Sequence, residues 1–364
     1  MTYSNFKIKV FNDINNEELK TSWIKLQQKN NTFPQMYYEW IEPWVRLSLG
    51  KRKLHVITVI KNNTISAIAP FCIDKSFGIK VLTSIPIHYG DKYEIIVSNE
   101  FKNKDIYFCI FKEIEKSKKY SAIAISQIES GSELYNYLKS FNYKSKKLIN
   151  CPTTDFSGLT FDEFLKKLHR NVRSDFRRGK RRIAEIGDLQ FEVCKTKDYY
   201  LNNEKVFREL NEKRWGEIDK NLPDDNYYNC RRESYTEILD KGNALIVVLK
   251  INNEIVGYRL GFLNDKVYHD WKLCFDIEYS KYEISSIMTS ELIAYLIENG
   301  YNKINYGPGD YSYKRKWSPD KTAIENYIFL KALNKNFASA YLNYELKYKE
   351  KIKSFLIKIK VKIN

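Results

Sequence analysis

Apolar and polar positions fall into alternating short segments along the chain. FKIKVFND (6–13) reads as a strand, and EELKTSWIKLQQKN (17–30) repeats its apolar residues at helical spacing. A second helical stretch around YYEWIEPWVRLSL leads into two β-rich runs, LHVITVIKNN and TISAIAPFCID, separated by an Asn-Asn turn. A strand at YEIIVSN, a helix at DIYFCIFKEIEKSKKY and a strand at SAIAISQI complete the first half.

The second half runs through a similar pattern. LQFEVCKT is a strand and YYLNNEKVFRELNEKRW a helix; the strands ALIVVLKIN, EIVGYRLGFLN and VYHDWKLCFD follow. The helix SSIMTSELIAYLIEN ends at Gly300, which suits a helix C-terminus, and KINYG and TAIENYIFLKA are the last strands. Both halves predict an α/β (α+β) unit with antiparallel strands before a crossover helix. Turn formers gather in CPTTDFSGLT (151–160), so the junction is expected near 145–160. Thr160 and Glu163 there have capping-box spacing, and a helix should start at Phe161. The expected division is a first domain over 1–150, a second over 151–335 and a basic tail over 336–364. A length of 364 residues also favours two cores over one.

Charge changes the picture locally. The net +16 is concentrated in two places: KKLHRNVRSDFRRGKRR (166–182) carries +8 and residues 331–364 carry +7, so the remainder is nearly neutral. Local phosphate binding or a docking surface fits this better than a broad nucleic-acid face, and nucleic acid is not the expected partner. Arg170, Arg173 and Arg177 recur at spacings of three and four and share a helix face, while Val172, Phe176 and Ile183 can pack inward. Such a row is either solvated surface or a phosphate site. The tail, ending LIKIKVKIN, is either a frayed end or a weak contact with an anionic membrane surface.

Six scattered cysteines read as reduced, mostly buried thiols. His55, His88, His169 and His269 form no metal-ligand pair, so no metal is expected. No uninterrupted apolar run opens the chain and nowhere do 18 apolar residues occur together; a cytoplasmic protein is the expectation. Oligomeric state is not fixed by the sequence, and a monomer is compatible with it.

YGPGDYSYKRKW (306–317) raises the question of chemistry. It is a poor phosphate loop, since no Gly-Lys-Ser/Thr follows and no helix clearly begins there. Gly307-Pro308-Gly309 must nevertheless turn the chain at the end of a strand.

Three runs together carry a resemblance: LHRNVRSDFRRGKRRIAEIG, NEIVGYRLGFLNDKVYHDWK and YSKYEISSIMTSELIAYLIENGYNKINYGPGDYSYKRKW. They resemble the GNAT-type acyltransferases of the CelD/BcsL-like branch, relatives of the Fem peptidyltransferases built from two fused GNAT-like domains. The similarity is strongest over about residues 160–330; in the first half, expected to be a degenerate GNAT-like domain, only strand and helix order supports it.

The resemblance implies acyl-CoA as co-substrate, with its pyrophosphate at the start of the helix after the fourth strand. Cys274, Phe275, Glu283, Ile284, Ser285, Ser286 and Ile287 are the implied cofactor-binding residues, with Ser285 or Ser286 as the helix N-cap. The glycines usual in that loop are replaced here by Ile284-Ser285-Ser286. Fourth and fifth strands correspond to VYHDWKLCFD and KINYG, which puts His269, Asp270 and the glycine turn around one cleft. Acyl transfer to an amine needs a base, a donor to the carbonyl oxygen and a proton for the leaving thiolate. Asp270, His269 and Asp310 are the candidate bases. Adjacent strand residues face opposite ways, so at most one of His269 and Asp270 faces the substrate, and Asp270 is preferred with Asp310 second. A backbone amide of the fourth strand would serve the oxyanion, and Tyr313 the thiolate. Arg170, Arg173, Arg177, Tyr306 and Lys314 are the implied substrate-binding set.

The expected activity is acyl-CoA-dependent N-acylation of a UDP- or dTDP-linked amino sugar in cell-surface polysaccharide (O-antigen, lipopolysaccharide or capsule) assembly. Two alternatives stay open: a Fem-like peptidyltransferase using aminoacyl-tRNA, and a non-catalytic GNAT-like module that binds polyanions or membranes.

Overall fold

A computed structural model describes residues 6–76, 78–85, 92–101, 103–215, 225–333 and 337–348. It divides into two compact units: the described parts of 1–38, 49–148 and 325–364, and residues 39–48 with 149–324.

In chain order the elements begin with β1 (Lys7–Phe11), α1 (Glu17–Lys29), α2 (Tyr38–Ser48), β2 (Lys53–Lys61), β3 (Thr64–Ser76), β4 (Ile79–Ser84), β5 (Ile96–Val97), α3 (Asn103–Lys116), β6 (Ala122–Glu129) and α4 (Glu133–Ser140). Then come β7 (Lys144–Asp155), α5 (Phe161–Lys167), α6 (Arg170–Ala184), β8 (Leu189–Cys194), α7 (Lys197–Trp215), α8 (Asp225–Asp240), β9 (Ala244–Ile251), β10 (Glu254–Asn264) and β11 (Val267–Phe275). A 3₁₀ turn at Ile277–Tyr282 precedes α9 (Ile284–Glu298), β12 (Lys303–Asn305), α10 (Ser312–Arg315), β13 (Ala323–Ala332) and α11 (Phe337–Asn343).

The first unit orders its strands β1-β2-β3-β4-β6-β13, with β5 on β3; the second orders them β8-β9-β10-β11-β12-β7. In each sheet one pairing is parallel, β4 with β6 and β11 with β12, and the described pairings on either side are antiparallel. The crossover helices α3 and α9 span those two parallel steps, as parallel strands require. Each unit is therefore a mixed, largely antiparallel sheet flanked by helices, as the periodicity predicts.

Local sequence explains the repeated hairpins. β2–β3 and β9–β10 both turn on Asn-Asn, and Asn62, Asn63, Asn252 and Asn253 all take positive φ, the conformation that a two-residue hairpin demands and asparagine tolerates. Thr160 caps α5 with the full capping box to Glu163, so that helix starts at Phe161 as expected. On α9, Tyr301 donates its amide back to Leu296 after Gly300 at φ 75°, closing the helix end. In the second unit α5, α6 and α9 bury Phe164, Phe176, Ile287 and Leu292 against Val247, Leu249 and Val256 of the sheet. The hydrophobic effect of that contact is what holds the basic helix α6 in place.

The compact units differ from a division at 150 and 335. Residues 325–332 of β13 belong to the first unit, where β13 pairs with β6. Residues 39–48 go to the second, because Trp40 is buried with its ring 5.1 Å from Phe262 and 5.2 Å from Trp271. Each unit thus receives an edge element from a distant part of the chain, which period and turn signals cannot report.

Strands β4 and β7 and helices α4 and α8 are additions to the predicted elements. β7 hides its strand character behind lysines and Pro152, whose carbonyl accepts the Tyr306 amide at 2.9 Å while its missing N–H costs nothing. YEIIVSN contributes only Ile96 and Val97 to pairing. Contrary to expectation a short helix, α10, does begin inside YGPGDYSYKRKW. His88 and LIKIKVKIN lie outside the described residues, while α11 continues as a π turn over Tyr344–Tyr348. Among the described residues no helix is long and apolar enough to cross a membrane, and no three His, Cys, Asp or Glu are grouped to hold a metal.

Candidate active site

β11 and β12 pair over three residues only, Val267–His269 with Lys303–Asn305. Asp270 is the first residue of β11 beyond that pairing, so it stands where the two strands part. On its other side β11 bulges: Gly261 pairs with Asp270 and Leu260 with Lys272, leaving Trp271 as the extra residue. Trp271 stacks on Tyr235 of α8 at 5.4 Å and fixes the bulge. After β12 the chain turns at Gly307, where φ is 70° and an added Cβ would stand 2.6 Å from the Asp270 carbonyl oxygen. Only glycine lets the turn come that close.

Around Asp270 is a buried polar cluster. Tyr268 donates its hydroxyl to Asp270 Oδ1 at 3.3 Å, and Arg259 Nε lies 3.4 Å from the same oxygen, an ion pair without a hydrogen bond. Oδ2 accepts no hydrogen bond from any described residue. Lys314, also buried, donates Nζ to the carbonyls of Gly307 at 3.1 Å and Pro308 at 2.6 Å, so it closes the glycine turn from within. Tyr306 is buried alongside and donates to the Trp317 carbonyl at 3.4 Å.

Burial pushes the Asp270 pKa above the ordinary carboxylate value, against the pull of Arg259 and Lys314. Burial likewise lowers the Lys314 pKa although Asp270 opposes it. The Tyr313 hydroxyl, half-buried beside Asp270, is pushed up to about 12 by burial and then by that carboxylate, so it stays a proton donor at neutral pH. A base with raised proton affinity next to a protonated hydroxyl is the pairing that acid–base chemistry requires.

Of the residues singled out in the sequence, Asp270, Tyr306, Tyr313 and Lys314 come together here. His269 does not: it pairs with Phe262 and Asn305 within the closed part of the sheet, on the opposite face from Asp270. Asp310 is exposed, forms an ion pair with Arg315, and accepts from Asn150 Nδ2 at 3.4 Å.

The expected coenzyme positions are more altered. Cys274 is buried with its thiol directed to the Leu210 carbonyl at 3.3 Å, and Phe275 lies under the Arg214 guanidinium at 3.9 Å. Neither Ser285 nor Ser286 is the N-cap. Helix α9 starts at Ile284, and Glu283 precedes it at φ 60°, the left-handed region that glycine prefers. Ser286 donates its hydroxyl to Glu283 Oε2 at 2.9 Å, and Lys316 Nζ lies 3.3 Å from the same oxygen. Burial works against that carboxylate, yet Lys316 and Ser286 keep its pKa below the usual value. Ser285 is half-buried with its carbonyl accepting from Thr289 at 2.7 Å, and Ile284 and Ile287 are in the core. Gly179 of α6 presses on this turn: an added Cβ would be 2.4 Å from the Tyr282 carbonyl oxygen.

Arg170, Arg173 and Arg177 do gather, joined by Arg178, Arg181 and Ser174, around a surface depression of about 610 Å³. Sequence reasoning missed Arg259 and Tyr268. The signal for Arg259 was one charged residue in the apolar strand EIVGYRLGFLN.

Residues 170–315 match the family model described as Acetyltransferase (GNAT) domain. Among solved structures the chain resembles FemX, with 15% identity over 87% of this chain and 96% of that one at a TM-score of 0.58. It also resembles the C-terminal domain of a putative lysylphosphatidylglycerol synthetase from Agrobacterium fabrum, with 14% identity over 91% and 96% at a TM-score of 0.58. A tandem GNAT protein from the clavulanic acid biosynthesis pathway matches at 8% identity over 91% and 99%, with a TM-score of 0.50. At these identities the likeness is one of fold, and it is a GNAT fold. No curated protein matches the sequence. The matched residues lie within the second unit, which has the fold of a GNAT acyltransferase domain.

Proposed function

We propose that the second unit transfers an acyl group from a coenzyme A thioester to the amine of a nucleotide-linked amino sugar, by direct attack. The observation that carries this reading is Asp270, buried and with Oδ2 unbonded at the point where β11 and β12 diverge. The amine nitrogen attacks the acyl carbon, Asp270 Oδ2 takes the proton that the nitrogen sheds, and the Tyr313 hydroxyl protonates the departing thiolate. The α6 arginines supply bidentate donors suited to the phosphates of the sugar nucleotide. The placing of this step in cell-surface polysaccharide assembly rests on the family resemblance.

A second reading is favoured by Glu283. Its carboxylate stands at the start of α9, where a pyrophosphate would seek free amides, and like charge opposes one there. An aminoacyl ester of tRNA puts no pyrophosphate at that turn. The arginine row would then hold the RNA backbone.

Thermal-shift titration with coenzyme A, acetyl-CoA, UDP- and dTDP-linked amino sugars and aminoacyl-tRNA separates the two. The first reading expects a rise in melting temperature with coenzyme A and free thiol released when an amino-sugar nucleotide is added. Deacylation of aminoacyl-tRNA without any shift from coenzyme A selects the second. No shift with either donor class removes both and leaves a non-catalytic polyanion-binding module.

A further inference from the structure

Acyl transfer needs a donor for the oxygen on which negative charge develops, and such donors work best when fixed in advance in a dry site. Arg259 has that character. It lies mid-strand in β10, 1% exposed, among Val256, Tyr258 and Leu260 of the core. A guanidinium carries five N–H donors, and leaving one buried and unbonded is costly. Nε reaches Asp270 only at ion-pair distance, and among the described residues Nη1 has no hydrogen-bond partner.

Asp310 pairs with Arg315, Glu283 with Lys316, and Asp276 with Lys213. Lys314 adds a second buried cation, tied to two carbonyls. Among the described residues, Arg259 and Lys314 both act on the Asp270 carboxylate. A surplus of buried positive charge with an unused, fixed N–H is a seat for an anionic oxygen.

We propose that Arg259 Nη1 is the donor that stabilises the tetrahedral oxyanion of acyl transfer, and that without substrate the same seat accepts a small carboxylate or phosphonate. The inference rests on the reading of this unit as an acyltransferase centre. As the amine nitrogen bonds to the acyl carbon, the carbonyl π pair moves to oxygen and faces Nη1. Asp270 Oδ2 takes the nitrogen's proton. When the pair returns, the carbon–sulfur or carbon–oxygen bond breaks, the leaving group departs, and Arg259 is unchanged. The guanidinium thus replaces the backbone amide of β11 expected from the sequence.

The test uses the full chain and two readouts. Melting temperature is measured in sodium acetate or methylphosphonate against sodium chloride at equal ionic strength, for wild type, Arg259→Lys and the surface control Arg52→Gln. Arg259→Lys keeps a cation beside Asp270 and removes Nη1. The anion-dependent rise is expected in wild type and Arg52→Gln and absent in Arg259→Lys. With whichever acyl donor is turned over, Arg259→Lys should lower kcat about 10²- to 10³-fold with little change in KM.

An equal rise in Arg259→Lys, or an unchanged kcat, overturns the inference while leaving the acyltransferase reading intact. If no donor is turned over but the rise still depends on Arg259, the anion seat stands and the acyltransferase reading falls. Should Arg259→Lys fail to fold, the double variant Arg259→Gln/Asp270→Asn removes the pair together and must lose the same rise.

Discussion

The parallel pairings of the two units match in length and differ in what lies beyond them. In the first unit β4 and β6 pair at Val81–Thr83 with Ala122–Ala124, three residues, as β11 and β12 do in the second. Past Thr83 the described residues are tied by backbone and hydroxyl hydrogen bonds, with the Lys92–Glu129 ion pair beside them. The Ser126 amide donates to the Ser84 hydroxyl at 3.1 Å, and the Tyr93 amide donates to the Gln127 carbonyl at 3.1 Å while its ring packs 5.7 Å from Phe71. Glu94, the buried carboxylate nearby, accepts the Phe33 amide at 2.9 Å. In the second unit the corresponding gap holds Arg259, Asp270 and Lys314, with Arg259 Nε and Nη1 and Asp270 Oδ2 making no hydrogen bond among the described residues. Charges are expensive in a core: in the first unit Glu94 accepts a backbone amide and Lys92 pairs with Glu129, whereas Arg259 and Asp270 form an ion pair without a hydrogen bond. On the proposed mechanism, this difference puts the chemistry in the second unit.

The largest effect that can break this contrast is on turnover. Asp270→Asn should lower kcat by about 10²- to 10⁴-fold, the range for losing a positioned base, while Ser84→Ala in the first unit leaves kcat unchanged. Comparable losses from both would erase the distinction.

Next is a stability effect confined to the first unit. Burial and Lys119 hold the His55 pKa at about 4, so the imidazole folds neutral. Its depressed folded value means that stability is intact above the unfolded pKa of about 6.5 and is lost as pH falls toward 4, by about 3 kcal/mol in all. Urea midpoints followed against pH should show this loss in wild type and not in His55→Gln.

Gly179→Ala comes third. The added methyl meets the Tyr282 carbonyl, so α6 must shift from the α9 turn at a cost of about 1–3 kcal/mol, read by equilibrium denaturation. The smallest effect sharpens the donor question. Glu283→Gly removes both a carboxylate and a left-handed non-glycine residue, and calorimetry should find coenzyme A affinity raised about threefold to tenfold. Unchanged affinity would favour a donor that does not use that turn.

Much of this was legible in the sequence where the signal is local. The hairpins follow from Asn62-Asn63 and Asn252-Asn253 and α5 from the capping box of Thr160 and Glu163, while the nearness of Asp270 to the Gly307 turn was implied by the family resemblance. What escaped depends on distant partners. β13 is a strand of the first unit only because β6 waits for it, and Trp40 joins the second unit only because Trp271 and Phe262 form its pocket. Asp310 stood second to Asp270 as a candidate base, yet it is exposed and paired with Arg315 five residues on. Ser285 and Ser286 looked like caps because Ser is a good cap; Glu283, in a backbone conformation it rarely adopts, starts the helix earlier. Arg259 carried a signal, a charge in an apolar strand, whose meaning came only with its cross-strand neighbour Asp270.

The most direct measurement is the pH dependence of kcat for acyl transfer, compared between wild type, Asp270→Asn and Ser84→Ala. Burial raises the Asp270 pKa, and a base works only when ionised, so wild-type kcat should climb with pH through an apparent pKa above the ordinary carboxylate range. Asp270→Asn should be slow and lack that limb, and Ser84→Ala should reproduce the wild-type curve. A limb that survives in Asp270→Asn, or disappears in Ser84→Ala, would contradict the assignment of the chemistry to the second unit.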